Sequence, residues 1–419
     1  MKQDGKPELT PKLRFPEFQD APGWEEKTLE ETADINPPTG GLPDSFVYID
    51  LESVEAGELK VKAIISRECA PSRAQRLLER GDIIYQVVRP YQRNNLLCEF
   101  EDDDDYVAST GYAQLRARAS SRFLYQSIHT DTFVNKVIAK CTGSNYPAIN
   151  SSDLAEISLG IPPSLPEQQK LADCLTSVDE LIAAQARKVD ALKTHKNGLM
   201  QQLFPREGET QPRLRFPEFS NAPEWNEYTL VDVAKFRRGS FPQPYGLPEW
   251  YDDENGMPFI QVFDVGDNFR LKDKTKSKIS KLAAEQSVFI PEGTLIITLQ
   301  GSIGRVAITQ YDAYIDRTLL LFESFLKPID KLFFAYIIHN LFEVEKEKAP
   351  GGIIKTITKE ALSDFKIRLP HILEQHKIAA CLLPIDELIA AQTQKLAALK
   401  THKNGLMQQL FPSPEEVEA

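Results

Sequence analysis

The sequence predicts an α+β chain in which two mixed α/β domains are separated by two long antiparallel coiled-coil helices, the whole forming a pseudo-twofold internal repeat. Three observations predict it: two blocks that each occur twice, a heptad pattern inside the longer block, and two intervening segments that match in layout but not in sequence. The short block is Lys12-Leu-Arg-Phe-Pro-Glu-Phe followed by Trp24, and it recurs as Arg213-Leu-Arg-Phe-Pro-Glu-Phe followed by Trp225. The long block runs from Pro166 to Pro205 and recurs from Leu373 to Pro412, with 29 identities in 40 positions. Its end, LKTHKNGLMQQLFP, is unbroken in both copies. The intervening segments, 25–162 and 226–369, share little sequence. A constant frame around divergent inserts points to a shape needed twice and a task that differs between halves. Tandem duplication with drift is the alternative, but drift does not spare the helices so selectively.

The long block is a helix. Leu171, Leu175, Val178, Ile182, Gln185, Val189, Leu192, Lys196, Leu199 and Leu203 alternate in steps of four and three. The second copy matches at Ile378, Leu382, Ile385, Ile389, Gln392, Leu396, Leu399, Lys403, Leu406 and Leu410. Pro166 suits a first turn, where its missing N–H costs nothing, and Pro205 and Pro412 end the helices. At 1.5 Å per residue each makes a rod of roughly 57 Å. The simplest partner for each stripe is its own repeat, paired antiparallel, although packing on the insert would also bury it. Gln185 with Gln392, and Lys196 with Lys403, interrupt the seam at matched places and can fix register. Pro384 stands where the first copy has Ser177, so a kink or a restarted helix is expected there. The expected boundaries are 1–162 for the first domain with its N-terminal arm, 163–205 for the first helix, 206–369 for the second domain, 370–412 for the second helix and 413–419 for a tail.

The inserts read as strands and polar loops. Gly81-Asp-Ile-Ile-Tyr-Gln-Val-Val is a strand that runs into Arg89-Pro-Tyr-Gln-Arg-Asn-Asn95. Within that loop Arg89, Tyr91, Gln92, Arg93 and Asn94 are candidate base readers, because Arg pairs bidentately with guanine, and Asn or Gln with adenine. Val107 to Leu115 reads as a second strand, and Gly143-Ser-Asn-Tyr-Pro, with Ser144, Asn145 and Tyr146, as a small-residue loop allowing close approach. In the second insert Pro291 to Leu299 is a strand, followed by the glycine-rich loop Gln300-Gly-Ser-Ile-Gly-Arg305, with Gln300, Ser302 and Arg305 as candidates. Arg317 is expected on the next strand. Pro350-Gly-Gly-Ile-Ile-Lys-Thr356 is the late loop, with Lys355 and Thr356. Lys272, Lys274, Lys276, Lys278 and Lys281 form a basic run, of which Lys274 and Lys276 are candidate phosphate contacts. The alternative for any one of these residues is a solvated loop; the repeated order of strand, polar loop, strand and late loop is the stronger signal.

Composition bounds the function. A net charge of −12 does not fit a simple basic DNA-binding protein. Residues 25–162 hold 14 basic and 22 acidic side chains, five of the acids in Glu101 to Asp105 alone. Phosphate neutralisation is therefore expected to come partly from partner proteins. Apolar runs long enough to span a membrane are absent, and the polar start does not read as a secretory signal. Cys69, Cys98, Cys141, Cys174 and Cys381 form no CxxC pair, which argues against a zinc site or a disulfide framework and for the cytoplasm.

With these residues in view, the chain resembles the specificity subunit of type I restriction–modification enzymes. The resemblance rests on the RFPEF…W blocks, on Gly81-Asp-Ile-Ile with Val88-Arg-Pro-Tyr and Val107-Ala-Ser-Thr-Gly, on Gly301-Ser-Ile-Gly-Arg-Val-Ala-Ile, and on the paired Glu-Gln…Asp-Glu-Leu-Ile…Leu-Met-Gln-Gln-Leu-Phe-Pro helices. It implies two target-recognition domains spaced by two helices, and a split, asymmetric double-stranded DNA target with an unread gap. It also implies assembly with two modification and two restriction subunits. S-adenosylmethionine would sit on the modification subunit, ATP and Mg2+ on the restriction subunit, and no cofactor on this chain. The family's motif positions fall on Arg89, Tyr91, Arg93 and Asn145, and on Arg305 and Lys355.

Two catalytic readings compete. Asn36-Pro-Pro-Thr39 resembles the motif with which amino-methyltransferases hold a flipped base, but Thr39 offers no stacking ring. Asp44 with Glu58-Leu-Lys60 resembles a metal-dependent nuclease constellation, a short pattern that arises often by chance. No GxxxxGK[ST] loop is present. A stand-alone methyltransferase or nuclease, or a purely structural adaptor, is thus the alternative to a non-catalytic recognition subunit.

Overall fold

The computed structural model describes residues 9–143, 145–206, 208–266, 268–348 and 362–412. They form two units. The first comprises residues up to Ala186 together with those from Lys395 onward; the second is Arg187–Gln394. Each unit thus contains one insert and a segment of both long helices, which span Leu165–Leu203 and Ile372–Leu410.

In the first unit the strands are β1 (Glu25–Thr28), β2 (Ala33–Ile35), β3 (Ser45–Ile49), β4 (Val54–Glu55), β5 (Glu58–Leu59), β6 (Ile64–Ser66), β7 (Ala74–Leu78), β8 (Ile83–Gln86), β9 (Leu96–Leu97), β10 (Tyr106–Ser109), β11 (Tyr112–Ala117) and β12 (Ser158–Ile161). They pair as β6-β3-β10-β7, β2-β11-β8-β9, the ribbon β1-β12 and the hairpin β4-β5. Val107 to Leu115, expected as one strand, is two: the turn at Thr110-Gly111 sends β10 and β11 into different sheets. Val47, Ile84, Ala108 and Tyr112 are buried in a core shared by these two sheets.

The second unit has β13 (Asn226–Thr229), β14 (Ala234–Arg238), β15 (Met257–Ile260), β16 (Ser277–Ile279), β17 (Val288–Ile290), β18 (Leu295–Thr298), β19 (Val306–Ile308), β20 (Ala313–Ile315), β21 (Leu319–Phe325) and β22 (Lys366–Leu369). They pair as β16-β15-β20-β17, β14-β21-β18-β19 and β13-β22. Apart from the β4-β5 hairpin, this is the first unit's strand order, down to the one parallel pair in the corresponding sheet, β3 with β10 and β15 with β20. Two inserts of unlike sequence therefore build one scaffold. Arg317, expected on a strand, lies in the turn between β20 and β21.

Within each unit the helix segments run antiparallel. In the first, Leu13 N donates to Gln409 O (2.9 Å) at the end of the second helix, while the adjacent Arg14 grips Glu167 at the start of the first. Lys403 then pairs with Asp179 at 2.7 Å. In the second unit Leu214 N donates to Gln202 O (2.9 Å), Arg215 grips Glu374, and Lys196 pairs with Asp386 at 2.6 Å. The two seam lysines, matched in the sequence, thus each meet an aspartate of the other helix. Every position of the heptad stripe is buried or half-buried, whereas Leu181 and Leu388, off the stripe, are exposed. The second helix continues through Pro384 without restarting.

The repeated short block is a clamp. Arg14 makes a bidentate pair with Glu167 (2.7 and 2.8 Å) and donates to the carbonyls of Ala21 and Pro22. Arg215 does the same with Glu374 (2.8 and 2.8 Å), Ala222 and Pro223. Behind each arginine a tryptophan packs edge-on against the phenylalanine that ends a helix: Trp24 on Phe411 and Trp225 on Phe204. The identical Leu-Phe-Pro helix ends and the Arg-Phe-Pro-Glu-Phe arms are therefore two sides of one joint.

Candidate nucleic-acid interface

Strand register brings the predicted loops of each unit to one rim. In the first unit Ser109 faces Ala74 and Tyr112 faces Gln86, so β10 and β8 end where β7 and β11 begin. Thr110 N donates to Arg73 O (2.9 Å), and Val87 N to Gly111 O (3.1 Å). Arg89 N donates to Pro147 O (2.7 Å), which ties the Arg89 loop to the late loop.

Arg89 has a left-handed backbone (φ 55°), unusual for a side-chain-bearing residue and a mark of a conformation the surroundings impose. Its guanidinium lies 4.3 Å from the Tyr146 ring centre. Tyr146 is 65% and Tyr91 51% exposed. Gln92 and Asn145 are also exposed. Gln92 Oε1 accepts from Gln86 Nε2 at 2.9 Å, which orients its amide. Asn94 is partly committed: its N–H donates to Gln86 Oε1 (3.2 Å) and its Oδ1 accepts from Ala56 N (3.4 Å). Arg93, in the same loop, is held by Asp131 (2.5 Å) and His129 O (3.0 Å). Ser144 lies outside the described residues.

His129 supports this loop from beneath. Its Nδ1 is 2.6 Å from Tyr125 O, and its Nε2 is 3.2 Å from the Asn95 amide nitrogen. A neutral ring that donates from Nδ1 and accepts at Nε2 satisfies both. Burial pushes its pKa down to about 4, against a weaker opposing effect of the Tyr125 carbonyl.

The second unit repeats the rim with other side chains. Val288 faces Ile315 and Thr298 faces Leu319, so the β20–β21 turn takes the place of Thr110-Gly111. Arg317 projects from it, exposed, with its guanidinium 5.7 Å from the Tyr245 ring. Beside the turn, Leu299 N donates to Thr318 O (2.9 Å), and the loop continues through the exposed Gln300 and Ser302. Gly239 also meets this turn: a Cβ there would stand 2.3 Å from Ile315 O, so only glycine fits. Arg305 is half-buried, its Nη1 donating to Val265 O (3.3 Å). Lys276 lies 4.9 Å from the half-exposed Phe263 ring, and Lys274 is exposed nearby in the chain. Lys355 and Thr356 lie outside the described residues. Tyr245, Phe263 and Arg73 also stand beside these loops, although none belongs to a polar loop of the sequence pattern. Only Tyr245 left a trace, as an aromatic in the Pro244-Tyr-Gly turn.

The residues of the two catalytic readings have other partners. Asn36 uses both ends of its amide: Nδ2 donates to Ser151 Oγ (2.8 Å) and Oδ1 accepts from Gln114 N (3.0 Å). Asp44 pairs with Arg67 (2.8 Å), and Glu58 pairs with Lys60. Among the described residues no group of three His, Cys, Asp or Glu is placed to hold a metal ion, and no helix is long and apolar enough to cross a membrane.

The family model of the type I restriction modification DNA specificity domain matches residues 94–194 and 223–401. The chain is 25% identical over 277 residues to the putative type I restriction enzyme MjaX specificity subunit of Methanocaldococcus jannaschii, covering 66% of this chain and 63% of that protein. It is 25% identical over 294 residues to the MjaVIII specificity subunit of the same organism, covering 64% of each. The chain therefore spans less than two thirds of the length of these curated relatives. Among solved structures, a type I restriction–modification S subunit from M. genitalium superposes with a TM-score of 0.60 at 16% identity, over 97% of this chain and 100% of that one. A chain from a study of type I R-M complex assembly and conformational transition gives 0.52 at 24% identity, over 94% and 98%. At these identities the likeness is one of fold.

Proposed function

The chain belongs to the type I restriction modification DNA specificity family, and we propose that it is the DNA sequence-recognition subunit of such a complex. It reads an asymmetric, bipartite target, one half-site per unit, and has no catalysis of its own. The observation that carries this reading is the shared strand order of two inserts that place different polar side chains on equivalent rims. A constant scaffold with changed letters is what two independent half-sites require. In the first unit Arg89, Tyr91, Gln92, Asn145 and Tyr146 face the DNA; in the second, Gln300, Ser302 and Arg317 do, with Lys274 and Lys276 on phosphates. Arg93 and Arg305 support the loops, in keeping with their hydrogen bonds to the fold. Two modification and two restriction subunits dock on the frame and bring S-adenosylmethionine, ATP and Mg2+. The test is to map methylated bases in cells that carry the chain with a modification subunit. A bipartite motif that vanishes when the chain is omitted is expected; methyl transfer by the purified chain alone contradicts the reading.

A further inference from the structure

The first insert sorts its cations sharply. Residues 25–162 contain nine arginines and five lysines. All five lysines and five of the arginines have a carboxylate partner. Among the described residues the cations without one are Arg73, Arg76, Arg80 and Arg89. All four are arginines; Arg76 lies on β7 and Arg73 immediately precedes it. β7 is the edge strand of its sheet, and it starts at the rim, where Arg73 O accepts from Thr110 N.

An arginine cannot shed its charge when it is desolvated, and 22 acids were available in this segment to neutralise it. Arg76 and Arg89 nonetheless each bury an Nε–H that has no hydrogen-bond partner. Buried donors without partners are rare in folded proteins, because each forfeits its hydration without replacement. Arg76 carries the consequence: burial alone lowers its pKa, and no anion opposes the effect. An anion would supply the counter-charge that Arg76 lacks, and β7 offers it an edge strand that begins at the rim beside the exposed Arg73.

We propose that β7 is a phosphate track, on which Arg73 and Arg76 contact the DNA backbone beside the half-site read by the first unit. This rests on the reading of the chain as a DNA-recognition subunit. It adds contacts that set affinity and register without reading bases.

The test uses the assembled methyltransferase complex and two duplexes, one carrying its mapped target and one scrambled, titrated from low to moderate salt. Arg73→Ala with Arg76→Gln should weaken binding to both duplexes alike, by on the order of tenfold or more. The slope of log affinity against log salt should fall by about 0.9 for each phosphate that is no longer neutralised. The methylated sequence should not change. Arg73→Ala alone, at an exposed position, gives the same signature at smaller size should Arg76→Gln disturb folding. A wild-type complex that prefers its target, beside variants with unchanged affinity and slope, overturns the track while leaving the recognition role intact. A changed target sequence at unchanged slope also overturns it, by making these residues base readers. A wild-type complex without target preference sinks the recognition role itself.

Discussion

Replacing Glu167 with Gln should destabilise the chain substantially while leaving its surface almost unaltered. The carboxylate is 1% and the Arg14 side chain 8% exposed, so the pair is shielded from water. Its oxygens take two hydrogen bonds from Arg14 and one from Trp24 Nε1 (3.2 Å). Removing one partner of such a pair costs about 3–5 kcal/mol, chiefly because the other charge stays buried. Arg14 keeps the carbonyls of Ala21 and Pro22, which places Glu167→Gln near the lower end, about 3 kcal/mol. For a unit of this size that lowers Tm by about 6–12 °C in a calorimetric scan. Glu374→Gln should do the same in the second unit, but by about 1 kcal/mol less, because the Trp225 indole N–H has no partner there to lose. Arg14→Met added to Glu167→Gln should recover part of the loss by removing the stranded charge. A Glu167→Gln chain whose midpoint moves by no more than about 1 °C would refute the clamp as the joint between arm and helix.

Other outcomes follow from the rims and helices. His129 is half-buried, and its loss of hydration pushes its pKa down to about 4. The unfolded chain takes up that proton near pH 6.5, so the stability is present above 6.5 and is lost as pH falls toward 4. Urea unfolding should show a loss of up to about 3 kcal/mol that His129→Gln largely removes, and equal pH profiles for the two chains would contradict this. Arg317→Ala should relax specificity at one base pair of the second half-site by about 1–3 kcal/mol, read from methylation of single-base variants. A loss shared by all sequences would instead make Arg317 a phosphate contact. Adding seven residues after Gln185 and after Gln392 keeps the stripe in phase and lengthens each helix by about 10 Å. The unread gap should then grow by roughly three base pairs, whereas an unchanged gap in an active variant would assign the spacing to the recognition domains.

What could be read from the sequence was whatever is periodic or repeated. The heptad stripe needs no partner to be visible, and its positions are the covered ones. The rim loops were recognisable because strands of buried residues run into Arg89 and Gln300. What stayed hidden depended on residues far apart in the chain. The clamp joins Arg14 to Glu167 across 153 positions, so its arm reads only as a repeat. Arg89 and Arg93 are equivalent as letters, and only the fold places Asp131 beside one of them. The amide of Asn36 suggests base binding until Ser151, 115 positions away, is seen to accept from it. Val107 to Leu115 looks continuous because both β10 and β11 are buried, and the turn that parts them is a single Thr-Gly step. Arg76 gave no signal, since its distinction is the absence of a partner.

On the proposed function, each unit reads its own half-site on a shared scaffold. The most direct test is to replace residues 226–369 with the corresponding insert of a relative of different specificity, keep both helices and the RFPEF arms, and sequence the methylated sites in cells carrying the complex. The expected outcome is a hybrid target in which the half read by the second unit is exchanged and the other half is untouched. A change in both halves, or in neither with the complex still methylating, would contradict it.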